Sequence, residues 1–204
     1  MSESPRSVLG FGDLHDIREA LLDSSRNDWK LEISEEDTTK PQDVDEEAFR
    51  LMVLQSYNIL ETRQEPEFDS ITAEAKEVFK CPIAVVSLVD MGRQWFKSIQ
   101  GLDADQTPRS CAFCAHVVQR KETSGVMVIE DATKDPRFAE NPLVVGGPKI
   151  RYYAGAPLKS PEGVILGSFC VIDFEPHPEG LTTEQKQRLH MFASEAVYAM
   201  ITRL

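Results

Sequence analysis

Between Ile83 and Ser98 the chain reads Ile-Ala-Val-Val-Ser-Leu-Val, then Asp-Met-Gly, then Arg-Gln-Trp-Phe-Lys-Ser, and no other stretch narrows the possible folds as much. The first seven residues carry no charge and are rich in β-branched side chains, which suits a strand covered on both faces. Asp90-Met91-Gly92 supplies turn chemistry, with Gly92 free to take positive φ. Arg93–Ser98 is strand-like again, so the unit predicts a hairpin. A second pair of runs, Tyr152–Leu158 and Val164–Ile172, is joined by Ser160-Pro161-Glu162-Gly163, a turn with Pro second and Gly fourth. Pro157 cannot donate to a ladder and is expected at a strand end or an edge. Val126–Glu130 reads as one more strand.

Helical spacing frames these strands. Phe49, Met52, Val53 and Leu60 share a stripe, with no Gly or Pro before the break near Arg63. Pro66 suits the first turn of a following helix. In that helix Phe68, Ile71, Ala75, Val78 and Phe79 line one face, the pattern of a helix lying on a sheet. Pro82 ends it, because the residue before a proline avoids helical geometry. Thr182 and Gln185 form a capping box for a last helix, whose apolar face is Leu189, Phe192, Ala193, Ala196, Val197 and Met200. Leu102–Arg109 reads as a polar loop, and Ser110 as the N-cap of a short helix, Cys111–Arg120. Asp131–Lys149 is irregular, and a connection that long inside a compact domain is usually functional or mobile. Residues 1–44 are expected to be a disordered acidic tail. Within it Leu14, Ile17 and Leu21 allow a short amphipathic helix over Asp13–Leu22, either a docking peptide or a transient turn of helix.

Composition removes several classes of function. Of 204 residues, 34 are Asp or Glu and 22 are Lys or Arg, a formal net charge of −12. Nucleic acid and anionic membrane surfaces want clustered cations, so neither is expected as a partner. No apolar run approaches the ~20 residues of a spanning helix, and the first residues hold no signal-peptide core. Four cysteines in a chain this long do not make a secreted disulfide framework. A cytoplasmic location is the expectation.

The motifs then converge on a family. Ile83–Asp90 with Arg93–Ser98, Phe113-Cys114-Ala115-His116, Asp135-Pro136-Arg137-Phe138, Asn141-Pro142-Leu143-Val144, Tyr153-Ala154-Gly155-Ala156-Pro157-Leu158, and Leu166-Gly167 with Cys170-Val171-Ile172-Asp173 follow one another in order. Together they resemble a bacterial-type GAF domain, of the subgroup found in front of histidine kinases and diguanylate cyclases. The resemblance covers about Ala48 to Leu204, which places a single domain over residues 45–204. It implies an α+β, PAS-related fold: a central antiparallel sheet with the N- and C-terminal helices on one face, and a lid of loops and a short helix on the other. It also implies a non-catalytic sensory or regulatory module that binds a small molecule. With no catalytic output domain after Leu204, the signal is expected to pass to a separate signalling protein or to a homodimer mate through the terminal helices. The alternative within binding modules is a ligand-free dimerisation scaffold.

Pocket candidates follow from the resemblance. They are Trp95 on a strand, Phe113, Cys114 and His116 on the lid helix, Arg137 on the long loop, and Tyr153 and Cys170 on the second hairpin. They combine aromatic faces, a switchable imidazole and one cation, a mix suited to a small polar or planar ligand. The same residues also suit bland roles: Trp95, Phe113 and Tyr153 as core, and Arg137 as a loop anchor paired to Asp131 or Asp135. Cys111, Cys114 and His116 give Cys-x2-Cys-x-His, but on one helix His116 points away from the stripe shared by the cysteines, so no metal site is expected there. Phytochrome-type GAF domains place a His directly after the bilin-bearing Cys, whereas Ala115 intervenes here. The Asn-Lys-x-Phe-x3-Asp-Glu signature of cyclic-nucleotide-binding GAF domains is absent, and the residues specify no cofactor. The enzyme alternative is a thiol-dependent free methionine sulfoxide reductase. For that chemistry Cys111, at a predicted helix start and two residues after Arg109, is the best-placed thiol. His15, His177 and His190 read as surface positions.

Overall fold

The computed structural model describes residues 14–22, 43–119 and 125–203. Among them a six-stranded sheet runs in the order β3-β2-β1-β6-β5-β4, with every neighbouring pair antiparallel. Its strands are β1 (Ile83–Val89), β2 (Arg93–Gln100), β3 (Gln106–Pro108), β4 (Met127–Ile129), β5 (Tyr152–Lys159) and β6 (Ile165–Asp173). The first two and last two form the hairpins expected from the apolar runs. All seven residues of β1 are buried, because helices cover one side of the sheet and a lid covers the other.

On one face lie α2 (Val44–Ser56), α3 (Pro66–Phe79) and α6 (Thr183–Thr202). Their Leu54, Phe68, Ala75, Phe79, Phe192 and Ala196 pack on Ala84, Val86, Leu88, Tyr152, Phe169 and Val171 of the sheet. Local signals set the helix starts. Asp43 caps α2 by accepting from the N–H groups of Asp45 (2.7 Å) and Glu46 (3.0 Å). Pro66 opens α3, and Thr182 with Gln185 closes the expected capping box of α6. Gly163 (φ 86°) takes the left-handed position of the second hairpin turn. Gly92 has no positive φ; the first hairpin is closed instead by the Asp90 N–H donating to the Arg93 carbonyl at 2.9 Å. Pro157 is tolerated because β4 pairs only with Tyr153–Gly155, so β5 is a free edge at the proline.

Helix α1 (Leu14–Leu22) buries Ile17, Ala20 and Leu21 against Ala48, Leu51 and Met91. These nine residues are thus part of the packed body and not of the loose tail expected for residues 1–44; the rest of that segment, up to residue 42, lies outside the described residues. The lid side also departs from expectation. The short helix begins at Phe113 (α4, Phe113–Gln119), after a 3-10 turn over Arg109–Cys111 and an extended Ala112, so Ser110 is not its N-cap. Its expected end at Arg120 lies outside the described residues. The polar loop contains β3, and the long connection contains a four-residue helix, α5 (Pro142–Val145), capped by Asn141. Among the described residues no helix is long and apolar enough to cross a membrane.

Candidate functional site

Between the lid and the sheet lies a cavity of about 40 Å³, lined from the sheet by Ile83, Val85, Gln94, Phe96, Ile99, Tyr153, Cys170 and Ile172. The lid side contributes Leu102, Thr107, Phe113, Cys114, Leu143, Pro148 and Ile150. That volume admits a water or two and is far below the several hundred Å³ of a filled ligand pocket. None of the lining residues carries a formal charge.

Four of the seven expected site residues meet here: Phe113, Cys114, Tyr153 and Cys170. Tyr153 is fully buried and its ring stacks on Phe113 with centroids 5.2 Å apart. Its hydroxyl donates to Cys114 Sγ at 3.4 Å and shares a 3.0 Å hydrogen bond with Ser168 Oγ. The Cys114 and Cys170 sulfurs are 3.9 Å apart and both residues are free thiols. Burial disfavours a charge on either. Hydrogen bonds from Cys170, Ser87, Tyr153 and Ser168 nevertheless converge on Cys114 and bring its thiol below the ordinary 9.0, to about 7. The hydrogen bond Cys170 gives to Cys114, together with burial, pushes Cys170 up. Any thiolate character in this pair therefore sits on Cys114.

A missing side chain makes this geometry possible. A Cβ on Gly155 would fall 2.3 Å from Tyr153 Oη and 2.6 Å from Ser168 Oγ, so the Tyr153 ring lies across the bare backbone two residues further along its own strand. Gly155→Ala is expected to displace that ring and cost about 1–3 kcal/mol, as overpacking does. Urea denaturation checks this, and the double variant Gly155→Ala/Tyr153→Leu should recover part of the loss. A single variant as stable as the wild-type chain would show that Tyr153 does not occupy this place.

The other three candidates stand elsewhere. Trp95 is buried on the opposite face, in the core beneath the helices. Gln94 and Phe96 line the cavity, so the two-residue alternation of a strand turns Trp95 away from it. A strand covered on both sides has no polar face from which this parity can be read. Arg137 is a loop anchor: its Nε and Nη2 donate to the two oxygens of Asp135 at 2.9 and 2.6 Å. That bidentate bond, opposed by burial, holds the Asp135 carboxyl below its ordinary value. His116 is buried but meets Phe138 edge-on at 4.6 Å instead of entering the cavity. Cys111, Cys114 and His116 therefore point in three directions, the Cys111 thiol donating to the Pro108 carbonyl at 3.3 Å. Arg109 does not activate Cys111; its guanidinium binds Glu47, and burial pushes the Cys111 thiol up.

Residues absent from the expected set complete the lid. Phe138 is fully buried, stacked on Phe113 at 4.1 Å with the rings 4° apart. Asn141 Nδ2 donates to the Cys111 carbonyl at 3.0 Å, tying the long loop to the 3-10 turn. Their motifs, Asp-Pro-Arg-Phe and Asn-Pro-Leu-Val, were the visible signal for both.

Comparison with known proteins agrees with this architecture. The family model described as "GAF domain" matches residues 65–200. A cyclic di-GMP phosphodiesterase of Pseudomonas aeruginosa is 47% identical over 138 residues, 68% of this chain but 23% of that protein. The GAF domain of an Acinetobacter phosphoenolpyruvate-protein phosphotransferase superposes with a TM-score of 0.53 at 18% identity, covering 76% of this chain and 93% of the other. The free methionine-R-sulfoxide reductase of Neisseria meningitidis, solved with its substrate, superposes with a TM-score of 0.54 at 17% identity, covering 84% and 95%. The two superpositions speak to fold alone.

Proposed function

The chain belongs to the GAF domain family, and from that premise we propose that it is a regulatory module which takes up a small neutral molecule between sheet and lid and passes its occupancy to the helices. The observation that carries this reading is the cavity: apolar walls, with polar side-chain atoms confined to Gln94, Thr107, Cys114, Tyr153 and Cys170. A nucleotide phosphate wants cations or a row of amide donors, and no Lys, Arg or His lines the walls. The favoured ligand is therefore uncharged and planar or aliphatic. Because the hollow is small with the lid closed, entry requires the lid to lift, and binding shifts the population toward the lifted state only by the difference in affinity between the two.

The relative from Pseudomonas aeruginosa suggests a setting. We read the module as an input to cyclic di-GMP turnover, with hydrolysis belonging to another part of such a protein, since the match spans under a quarter of that enzyme. The outlet for the signal is the outer face of α6. There Met191, Tyr198 and Ile201 are exposed, beside a groove lined by Glu67 and Ile71 of α3 and by Ser194, Glu195, Tyr198, Ala199 and Thr202 of α6. A homodimer mate or a separate signalling protein would cover that face.

Native mass spectrometry of the full chain as isolated tests the reading in one measurement. The expected result is a mass above the 22.9 kDa of the bare chain, or twice that for a dimer, with a small molecule released on unfolding. Bare chain alone, from every expression host tried, would overturn it. The paired thiols Cys114 and Cys170 favour one second reading, a methionine sulfoxide reductase. Turnover of free methionine-R-sulfoxide that disappears in Cys114→Ser would establish it; no turnover is expected.

A further inference from the structure

A second cluster lies where β1 begins and β6 ends, on the helix-covered side of the sheet. Cys81 precedes β1, Asp173 ends β6, and His177 follows in the connection to α6. One ligating atom from each, Cys81 Sγ, an Asp173 carboxylate oxygen and a His177 ring nitrogen, lies within 4.8 Å of the other two. His177 Nε2 and Asp173 Oδ2 share a hydrogen bond at 2.9 Å, and a separation of about half an ångström more would bring the pair to the roughly 3.4 Å edge of a tetrahedral site with ~2.1 Å bonds.

The surroundings hold these groups as supports hold metal ligands. The backbone N–H of His177 donates to the Glu130 carbonyl at 2.9 Å, and its ring stacks on Tyr152 with centroids 4.0 Å apart and planes 13° apart. Asp173 Oδ1 accepts from the N–H groups of Phe174 (2.6 Å) and Glu175 (3.2 Å), which leaves Oδ2 turned to the cluster. Cys81 is buried, and its thiol makes a weak 3.6 Å contact with the Phe79 carbonyl.

An independent observation points the same way. Tyr152 is fully buried, and its hydroxyl has no hydrogen-bond partner among the described residues. It pairs with Asp173 across the ladder, beside Cys81 and Glu130. A buried hydroxyl left unpaired costs about 1–3 kcal/mol, and a water on a bound ion would give it a partner.

We propose that Cys81, Asp173 and His177 bind one divalent transition-metal ion of the zinc class. One sulfur, one imidazole nitrogen and one carboxylate oxygen form a donor set suited to such an ion, whereas calcium or magnesium would want oxygen ligands throughout. Three protein donors leave a fourth position for water or an external ligand. Binding exchanges the Cys81 thiol proton for the ion, so one proton leaves for each ion taken up and no electron moves. The ion would fasten the entry of β1 to the exit of β6, at the root of the connection into α6.

The test is a titration of the chelator-treated full chain with zinc alone and then cobalt(II) alone. The expected result is one ion per chain, with a thiolate-to-cobalt charge-transfer band in the near ultraviolet. Cys81→Ser and His177→Gln should each abolish the band and weaken zinc binding more than about 100-fold, beyond what a change outside the ligand shell costs. Cys114→Ser should leave both unchanged. Where Cys81→Ser fails to fold by circular dichroism, His177→Gln, at a half-buried residue, carries the test. The proposal is overturned by cobalt uptake without the band, by a band that survives His177→Gln, or by one that vanishes in Cys114→Ser.

Discussion

Glutamine in place of Glu47 is expected to lower the unfolding free energy by about 3–5 kcal/mol at neutral pH. Glu47 is 3% exposed on α2. Its Oε1 accepts from Arg109 Nη1 at 2.6 Å and Arg50 Nη2 at 2.7 Å, and its Oε2 from Arg50 Nε at 2.8 Å. Arg109 also donates to the carbonyls of Asp90 and Met91 at 3.1 and 3.3 Å. One carboxylate thus joins α2, the turn of the first hairpin and the 3-10 turn that launches the lid helix. A glutamine keeps the shape but removes the negative charge that both buried guanidinium groups face.

The same group sets an acid limit. Burial works to raise the Glu47 carboxyl, but Arg50 and then Arg109 outweigh it and bring it down from 4.5 to about 2. Because the folded value lies below the unfolded one, the stabilisation is complete above about pH 4.5 and is lost as pH falls toward 2. At ~1.4 kcal/mol per unit this amounts to about 3 kcal/mol. Urea midpoints of wild-type and Glu47→Gln chains should therefore converge on acidification through that window. Glu46→Gln, at an exposed neighbour, should stay within about 0.5 kcal/mol of wild type. A gap between Glu47→Gln and wild type that is independent of pH would disprove the linkage.

Such a network shows where sequence reasoning reaches and where it stops. The hairpins, the helix on the sheet and the capped last helix were legible because each is set by residues a few positions apart: a charge-free run, a Pro-Glu-Gly turn, a Thr and a Gln three apart. Contacts between distant residues leave no such mark. Glu47 and Arg109 look like ordinary surface charges until α2 and the 3-10 turn are brought together. His177 reads as a surface position until β6 places it against Tyr152. Lys97 is 1% exposed within a strand, where its Nζ donates to Thr62, the Arg63 carbonyl and Glu65 at 2.6–2.8 Å. A bulge leaves Lys97 unpaired between Phe96 and Ser98, and no sequence pattern announces it. The site was half legible for the same reason. Motifs named the lid and the second hairpin, but the face on which Trp95 sits depends on strand parity, which a doubly covered strand conceals.

Phe138→Ala is expected to cost about 3–5 kcal/mol, the range for deleting a buried aromatic ring. The ring is enclosed on every side the structure describes: Phe113 stacks on it, His116 meets it edge-on, and the Arg137 guanidinium lies 5.1 Å from its centre. Its backbone is held as well, the Phe138 N–H donating to the Asp135 carbonyl at 2.9 Å. Phe113 belongs to α4 and touches Tyr153 on β5, so the Phe138–Phe113–Tyr153 column fastens the long loop, through the lid helix, to the sheet. Removing its outer member should loosen the lid while the helix-covered face stays packed. Amide exchange over residues 113–117 and 138–145 should then accelerate, and the urea midpoint should fall. Benzene, a neutral guest for an apolar hollow, should restore part of the lost stability in Phe138→Ala and none in wild type, because a ligand stabilises only the state that has room for it. A loss below about 1 kcal/mol, with lid exchange unchanged, would mean the column is not what holds the lid down, and the opening step required for ligand entry would have to be sought in another contact.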